Sequence, residues 1–229
     1  MRRFILFATI LLSAATLFAQ MDCDGYFPFR EGTSMEYTNY DKKGKLTGRQ
    51  EQTITEIHDI DGGLEAIFAT KLFDDKDKEA MTGDYLLQCK EEGFYVDMSN
   101  MIPPDVVESI SEMEAEITGE FMEFPRNPKA GQQLPDGNMQ IAALVNGTPM
   151  MTITLLVTDR LIEGFESVTT PAGTFECMRY SESTEVKMIF RIRARSVSWY
   201  APGVGVVKTE SYDDKGKLQG STVLTRFNK

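Results

Sequence analysis

Met139-Gln140-Ile141-Ala142-Ala143-Leu144-Val145-Asn146-Gly147-Thr148-Pro149-Met150-Met151-Thr152-Ile153-Thr154-Leu155-Leu156-Val157 decides the fold. Two apolar segments, 139–145 and 149–157, flank Asn146-Gly147, the dipeptide favoured where both central residues of a two-residue hairpin turn need positive φ. In the outgoing segment Met151, Ile153, Leu155 and Val157 alternate with Thr152, Thr154 and Leu156. That period of two places successive side chains on opposite faces of a strand. A β-hairpin is the local consequence.

The same punctuation runs outward in both directions. Toward the N-terminus, 34–40 reads as a strand, Asp41-Lys42-Lys43-Gly44 as a turn and 46–57 as the return strand. Asp59-Ile60-Asp61-Gly62-Gly63 turns again into 64–73, the charged loop 74–78 precedes 85–89, and Lys90-Glu91-Glu92-Gly93 precedes 94–98. Toward the C-terminus, 160–170, 174–184, 186–200, 204–212 and 218–227 complete a series of short strands bounded by Gly, Pro and Asp. Strands at this spacing predict an antiparallel meander. One segment breaks the period. Pro103 and Pro104 suit a helix entry, and Val106, Val107, Ile110 and Met113 recur at helical spacing. From Glu114 the period returns to two, with Ala115, Ile117 and Phe121 opposite Glu114, Glu116, Thr118 and Glu120. The stretch 125–137 reads as a polar loop, long enough to form a rim or lid. The expected fold is mainly β: a single antiparallel curved sheet, half-barrel or open barrel, with one short α-helix on its concave face.

The chain also echoes itself. Tyr40-Asp41-Lys42-Lys43-Gly44-Lys45-Leu46-Thr47-Gly48 matches Tyr212-Asp213-Asp214-Lys215-Gly216-Lys217-Leu218-Gln219-Gly220 at seven of nine positions. The spacing suits one hairpin corner used twice, with Gly44 and Gly216 at the strained angle. Two copies far apart do not make a solenoid.

Arg2 and Arg3 precede an apolar run from Phe4 to Phe18 that closes with Ala19-Gln20. The run is shorter than the roughly 20 residues that cross a bilayer, and a positive start, an apolar centre and a small residue before a polar one mark a cleaved secretory signal. Residues 1–19 are therefore read as a signal peptide, with Ala15 as the alternative cleavage position, and 20–229 as one β domain. Lipid attachment at Cys23 is not expected, because Asp22 rather than a small residue precedes it. The formal net charge is −11, and it becomes more negative by two once Arg2 and Arg3 are removed. Such a surface repels nucleic acid and anionic headgroups and favours solubility. The three cysteines, Cys23, Cys89 and Cys177, allow three pairings in an oxidising compartment. A Cys23–Cys89 bond is preferred, since it would tie down the start of the mature chain.

Motifs for chemistry are sparse. His58 is the only histidine, at a strand end beside a turn, so multi-histidine metal sites are excluded. Asp59, Asp61 and Gly62, and again Asp74, Asp75 and Asp77, have the look of calcium loops but lack the downstream bidentate Glu, and read as solvated turns. Glu108, Glu112, Glu114, Glu116, Glu120 and Glu123 fall on the polar faces of a helix and a strand. Methionines are more suggestive: Met81, Met98, Met101, Met113, Met122, Met139, Met150, Met151, Met178 and Met188 spread over the helix and central strands. Methionine repacks around varied apolar partners, so such an interior suits either an adaptable core or an apolar ligand.

Val168-Thr169-Thr170-Pro171-Ala172-Gly173-Thr174-Phe175-Glu176-Cys177 and Trp199-Tyr200-Ala201-Pro202-Gly203-Val204-Gly205-Val206-Val207-Lys208 resemble the TapB-like family of exported β-proteins of Bacteroidota type. Tyr26-Phe27-Pro28-Phe29-Arg30-Glu31-Gly32-Thr33 and the 40–48 corner are similar to that family's start. The resemblance implies an envelope or surface location and an open half-barrel related to lipoprotein carriers, and it supplies no catalytic residue.

The expected function is that of an exported, non-enzymatic cell-envelope protein holding an apolar or lipid-like ligand against Val106, Val107, Ile110, Met113, Met151, Ile153, Leu155, Trp199 and Tyr200. The alternative is a structural or protein-interaction component of the envelope or cell surface. No cofactor, metal, nucleic acid or integral membrane span is expected; the location is periplasmic, outer-membrane-associated or extracellular. N-terminal sequencing of exported protein should begin between Thr16 and Cys23, and an intact Met1 on exported material would refute the signal peptide.

Overall fold

Alternation of apolar and polar residues builds a chain almost wholly of strands: β1 (Ser34–Asp41), β2 (Leu46–Ile60), β3 (Gly63–Asp74), β4 (Glu79–Lys90), β5 (Gly93–Asp97), β6 (Glu114–Thr118) and β7 (Phe121–Pro125). These are followed by β8 (Gln132–Gln133), β9 (Gly137–Val145), β10 (Thr148–Thr170), β11 (Gly173–Lys187), β12 (Arg191–Ala201), β13 (Gly205–Tyr212) and β14 (Leu218–Asn228). The computed structural model describes residues 23, 25–101, 114–119, 121–188 and 191–229, with Ser99 and Asn100 by backbone alone. The signal segment read at 1–19 and the helix read over 103–113, with Val106, Val107, Ile110 and Met113, lie outside the described residues. Among the described residues there is no α-helix, only a 3₁₀ turn at Met98–Met101. No described helix is long and apolar enough to cross a membrane.

All neighbours are antiparallel, in the order β6-β9-β10-β11-β12-β13-β14-β1-β2-β3-β4-β5-β7, with β8 on β10. Among the described residues the sheet is open, since no ladder joins its first strand to its last. Yet those two strands, β6 and β7, are consecutive in the chain and separated by two residues. Thr118 pairs with Gln140 at one end of the order and Phe121 with Asp97 at the other. The sheet must therefore curl until its ends meet. Gly119 makes the crossing: its φ is +73°, and a Cβ there would stand 2.1 Å from the Asn138 carbonyl oxygen. No other residue fits that approach.

Turns alternate between two ends of the curled sheet. At one end the N-terminal arm enters as a plug. Cys23 and Cys89 form a disulfide, the Gly203 N–H donates to the Gly25 carbonyl at 2.6 Å, and Phe27 lies 5.3–5.6 Å from Phe94, Phe124 and Tyr200, ring centre to ring centre. Tilted and edge-on pairs of this kind add to the burial of the rings themselves. Cys177 is a buried free thiol, and burial pushes its pKa up to about 11. Met35, Met98, Met122, Met139 and Met178 are all buried in the same core.

The other end carries the hairpin corners. Asp41 Oδ1 accepts from the Lys43 and Lys45 backbone N–H groups at 2.8 and 2.9 Å, and Asp213 Oδ1 does the same with Lys215 and Lys217 at 3.0 and 2.9 Å. A third corner stands in 74–78, where Asp74 Oδ1 accepts from Lys76 and Lys78, both at 2.9 Å. Its strained position is Asp77, at φ +61°, where the other corners have glycine, and this masks the likeness in the sequence. The backbone donors hold all three carboxyls below their usual range. Asp74 and Asp77 thus serve a turn and, through Arg49, an ion pair at 2.7 Å.

Several expected boundaries move. The segments 149–157 and 160–170 form one 23-residue strand, β10, bulged between Thr158 and Leu161 and between Ile162 and Gly164. A bulge absorbs an extra residue without ending the strand. The segment 186–200 does not form one strand, because β11 ends at Lys187 and β12 begins at Arg191. Neither Gly nor Pro marks that reversal. Asn146 and Gly147 take φ +54° and +73°, as the hairpin turn requires. Gly216 has φ +73° with nothing within 4 Å of where its Cβ would be. Gly216→Val should therefore cost about 1–2 kcal/mol from backbone conformation alone, measured by urea unfolding. Lys215→Ala, exposed on the same corner, should stay within about 0.5 kcal/mol.

Candidate functional site

Where the curled sheet meets itself, β7 has no strand on its second edge among the described residues. Backbone carbonyls turned to that seam need donors. Arg160 supplies them. The β10 bulge, with Asp159 at φ +52°, turns this arginine inward until only 2% of it is exposed. Nη2 donates to the Glu123 carbonyl of β7 at 2.8 Å, Nη1 to the Pro135 carbonyl at 2.5 Å, and Nε to Tyr180 Oη at 2.8 Å. Tyr180 in turn donates to Glu182 Oε2 at 2.6 Å. Both residues lie on β11, two apart, and so on one face. The guanidinium carbon also sits 4.9 Å from the Phe124 ring centre, within cation–π range.

The charges are set by burial. Glu182, 8% exposed, has its carboxyl pushed above the usual range, an effect opposed by the Tyr180 hydrogen bond and the Arg160 charge. Burial and the Glu182 charge raise the Tyr180 phenol. Beside the bulge a cleft of about 560 Å³ is bordered by Leu134, Asp159, Arg160, Leu161, Glu182 and Arg195. Its lining mixes polar and apolar groups, and Arg195 Nη2 is bound to Glu163 at 3.2 Å. Chemically, the three-residue network ties its donors to other protein groups and serves as a buried polar clamp. His58, exposed on β2, bonds its cross-strand partner Glu65 at 3.1 Å. Among the described residues no group of three or more His, Cys, Asp or Glu is placed to hold a metal ion.

The residues proposed from sequence for ligand contact are not gathered at this cleft. Met151, Ile153 and Leu155 line one face of β10, Ile153 and Leu155 fully buried and Met151 partly buried. Tyr200 points into the interior, 5.6–6.1 Å from Phe27, Phe124 and Tyr180, and burial raises its phenol. Trp199 lies apart from it. Its Nε1 donates to Glu166 Oε1 at 2.6 Å, and its ring is flanked by Arg179 and Lys208 at 5.6 and 4.9 Å. Arg160 and Glu182 went unnoticed in the sequence, although a charged residue inside an apolar strand alternation was the available signal.

Two solved structures are similar to this chain. One is a candidate exported protein with a YmcC-like fold from Bacteroides fragilis: TM-score 0.72, 24% identity, covering 90% of this chain and 100% of its own. The other is a candidate lipoprotein from Parabacteroides distasonis: TM-score 0.73, 28% identity, covering 91% of this chain and 100% of its own. Among curated proteins none matches. The DUF3108-like family model matches residues 30–224, and the chain belongs to that family.

The clamp makes two expectations measurable. Tyr180→Phe strands a buried arginine donor and a carboxylate oxygen, and should cost about 1–3 kcal/mol. A carboxyl whose pKa is raised on folding stabilises the fold in its protonated form, so its contribution is present below pH 4.5 and lost as pH rises through the folded value. Urea unfolding should therefore show Glu182→Gln gaining stability relative to wild type between pH 4.5 and neutrality. An identical pH profile would remove Glu182 from the account.

Proposed function

We propose that this DUF3108-like protein is an exported, non-enzymatic interaction component of the cell envelope, and that protein contact rather than carriage of an apolar ligand is its role. Export is supported by the signal-like residues 1–19 and by the description of its two structural neighbours as a candidate exported protein and a candidate lipoprotein. The TapB-like resemblance of 168–177 and 199–208 agrees with that placement.

The single observation that carries the reading is the filled interior. A half-barrel that carries an acyl chain needs an apolar void. Here, among the described residues, Phe27, Phe94, Phe124, Tyr180 and Tyr200 form a chain of ring contacts, with the Arg160 guanidinium against Phe124 and Tyr180. Apolar side chains are exposed mostly at the corner end, with Phe165, 51% exposed, apart from them on β10. Val145, Met150 and Ile192 are 48%, 68% and 43% exposed on β9, β10 and β12. Exposed apolar groups gathered at one end of a soluble fold mark contact surface. The helix read over 103–113, placed across the concave face, belongs to the runner-up reading, in which Val106, Val107, Ile110 and Met113 roof a ligand.

A photo-crosslinking amino acid at Val145 or Met150, in cells exporting the protein, should give a discrete adduct with one envelope protein. The same probe at Glu176, exposed on β11, should not. Purified native protein should show no saturable uptake of an apolar fluorophore. Uptake near one molecule per chain, without adducts, would install the ligand carrier instead.

A further inference from the structure

We infer that two copies of this chain pair edge to edge through the 164–170 stretch of β10, antiparallel about a two-fold axis at Ser167. This goes beyond the interaction reading above, since the stretch lies at the other end of the sheet from Val145 and Met150.

The edge follows from register. β9 accompanies β10 from Thr148 to Val157, and β8 does so at Leu161 and Ile162. Beyond Ile162, β10 runs on to Thr170, bonded to β11 on one side and, among the described residues, to no strand on the other. From Gly164 to Thr170 its ladder with β11 is unbroken, the last bulge lying between Ile162 and Gly164. The hydroxyls of Thr169 and Thr174 meet at 2.9 Å, the close approach of a non-hydrogen-bonded pair. By alternation Phe165, Ser167 and Thr169 turn their main-chain N–H and C=O groups away from β11, toward the open side. Phe165 is 51% exposed, and Ser167 and Thr169 are exposed as well.

The usual protections of such an edge are missing. No lysine or proline stands within 164–170. The one carboxylate in the stretch, Glu166, is drawn back over the neighbouring strands: Oε1 accepts from Trp199 Nε1 at 2.6 Å and lies 3.8 Å from Arg179. Glu163, just before the stretch, is held in the same way by Arg179 and Arg195 at 3.0 and 3.2 Å. An exposed edge whose charges are tied down elsewhere is a template for one more strand.

Symmetry makes that strand a second copy and fixes the register. In an isologous pair the same patch serves both subunits. Side-chain alternation then requires an axis through one residue, so that each residue meets a partner of its own face. At one end of the stretch the incoming chain is stopped beside Ile162, whose carbonyl already accepts from the Gly131 N–H at 2.8 Å. At the other end the strand gives way to the turn before Gly173. All of 164–170 is used only when its middle residue, Ser167, lies on the axis. Ser167 then faces itself, Phe165 faces the partner copy's Thr169, Glu166 the partner copy's Val168 and Gly164 the partner copy's Thr170. An aromatic ring against a β-branched side chain is a favourable cross-strand pair, and no like charges stand opposite each other. An axis through Glu166 would set two carboxylates face to face. A Cβ on Gly164 would meet nothing within 4 Å, which leaves room for the threonine opposite.

Sedimentation equilibrium of the mature exported chain, at high salt to screen repulsion between two acidic copies, should show a reversible monomer–dimer equilibrium. Ser167→Lys, at an exposed position, sets two ammonium groups opposite each other and should weaken the dimer at least tenfold, whereas Lys215→Ala should leave it unchanged. Ser167→Cys places two thiols across the axis, where paired Cα atoms stand about 4.5–5.5 Å apart, within disulfide reach. Mild oxidation should therefore link the Ser167→Cys copies and leave Thr169→Cys and Lys215→Cys unlinked. A chain that stays monomeric at every concentration would overturn the inference, as would a dimer indifferent to Ser167→Lys. Slow exchange of the Ser167 and Thr169 amide protons in the dilute monomer would also overturn it, because the edge would already be occupied.

Discussion

A buried guanidinium holds this fold together at its weakest line. An open sheet curled on itself has a seam where strand edges lie side by side without a ladder, and each carbonyl turned into that seam carries a desolvation cost. Arg160 meets two of them at once, on Glu123 and Pro135, and anchors its third nitrogen on Tyr180. Its charge is balanced at one remove by Glu182, through the phenol, and by the face of Phe124. Buried ionic groups add less stability than their hydrogen bonds suggest, and removing one member of such a network is far costlier than never having built it. Here the arrangement specifies which strands meet: only a curl that places β7 against β10 satisfies all three arginine nitrogens.

That clamp divides the molecule into two unlike ends. At the plugged end the disulfide, the Phe27 plug and the aromatic cluster are concentrated. A disulfide closing a loop of 66 residues restricts the unfolded chain by about 4 kcal/mol in the chain-entropy account. At the corner end stand three hairpin corners of one construction and most of the exposed apolar residues. Edges and loops with few buried contacts open most readily, and binding surfaces are drawn from them. Rigidity and recognition are thereby separated along the strand axis.

Local chemistry made much of the sheet legible. Asn146-Gly147 forces its turn because two adjacent positive φ angles suit almost no other pair, and Gly44 and Gly216 mark their corners for the same reason. The third corner escaped notice because Asp77 takes the strained angle in place of glycine. The reversal between β11 and β12 escaped too, because no Gly or Pro marks it. β10 read as two segments because an inserted residue shifts the alternation by one, which in a sequence looks like a strand end. Trp199 and Tyr200 are adjacent in the chain and so appeared to form one surface, but alternation sends them to different surroundings.

By itself the sequence determined what depends on a few neighbouring residues: strand periodicity, turn positions, the signal-like start, the acidic surface and the class of fold. Tertiary structure alone decided what depends on residues far apart in the chain. The meeting of β6 and β7 across the curl and the commitment of Arg160 to carbonyls 25 and 37 residues away belong to that group. The physical reason is that period-two alternation reports which face a side chain takes, but not how strongly the sheet bends. Curvature is set by bulges and by the packing of opposite walls, and it is curvature that brings the β7 carbonyls within reach of Arg160.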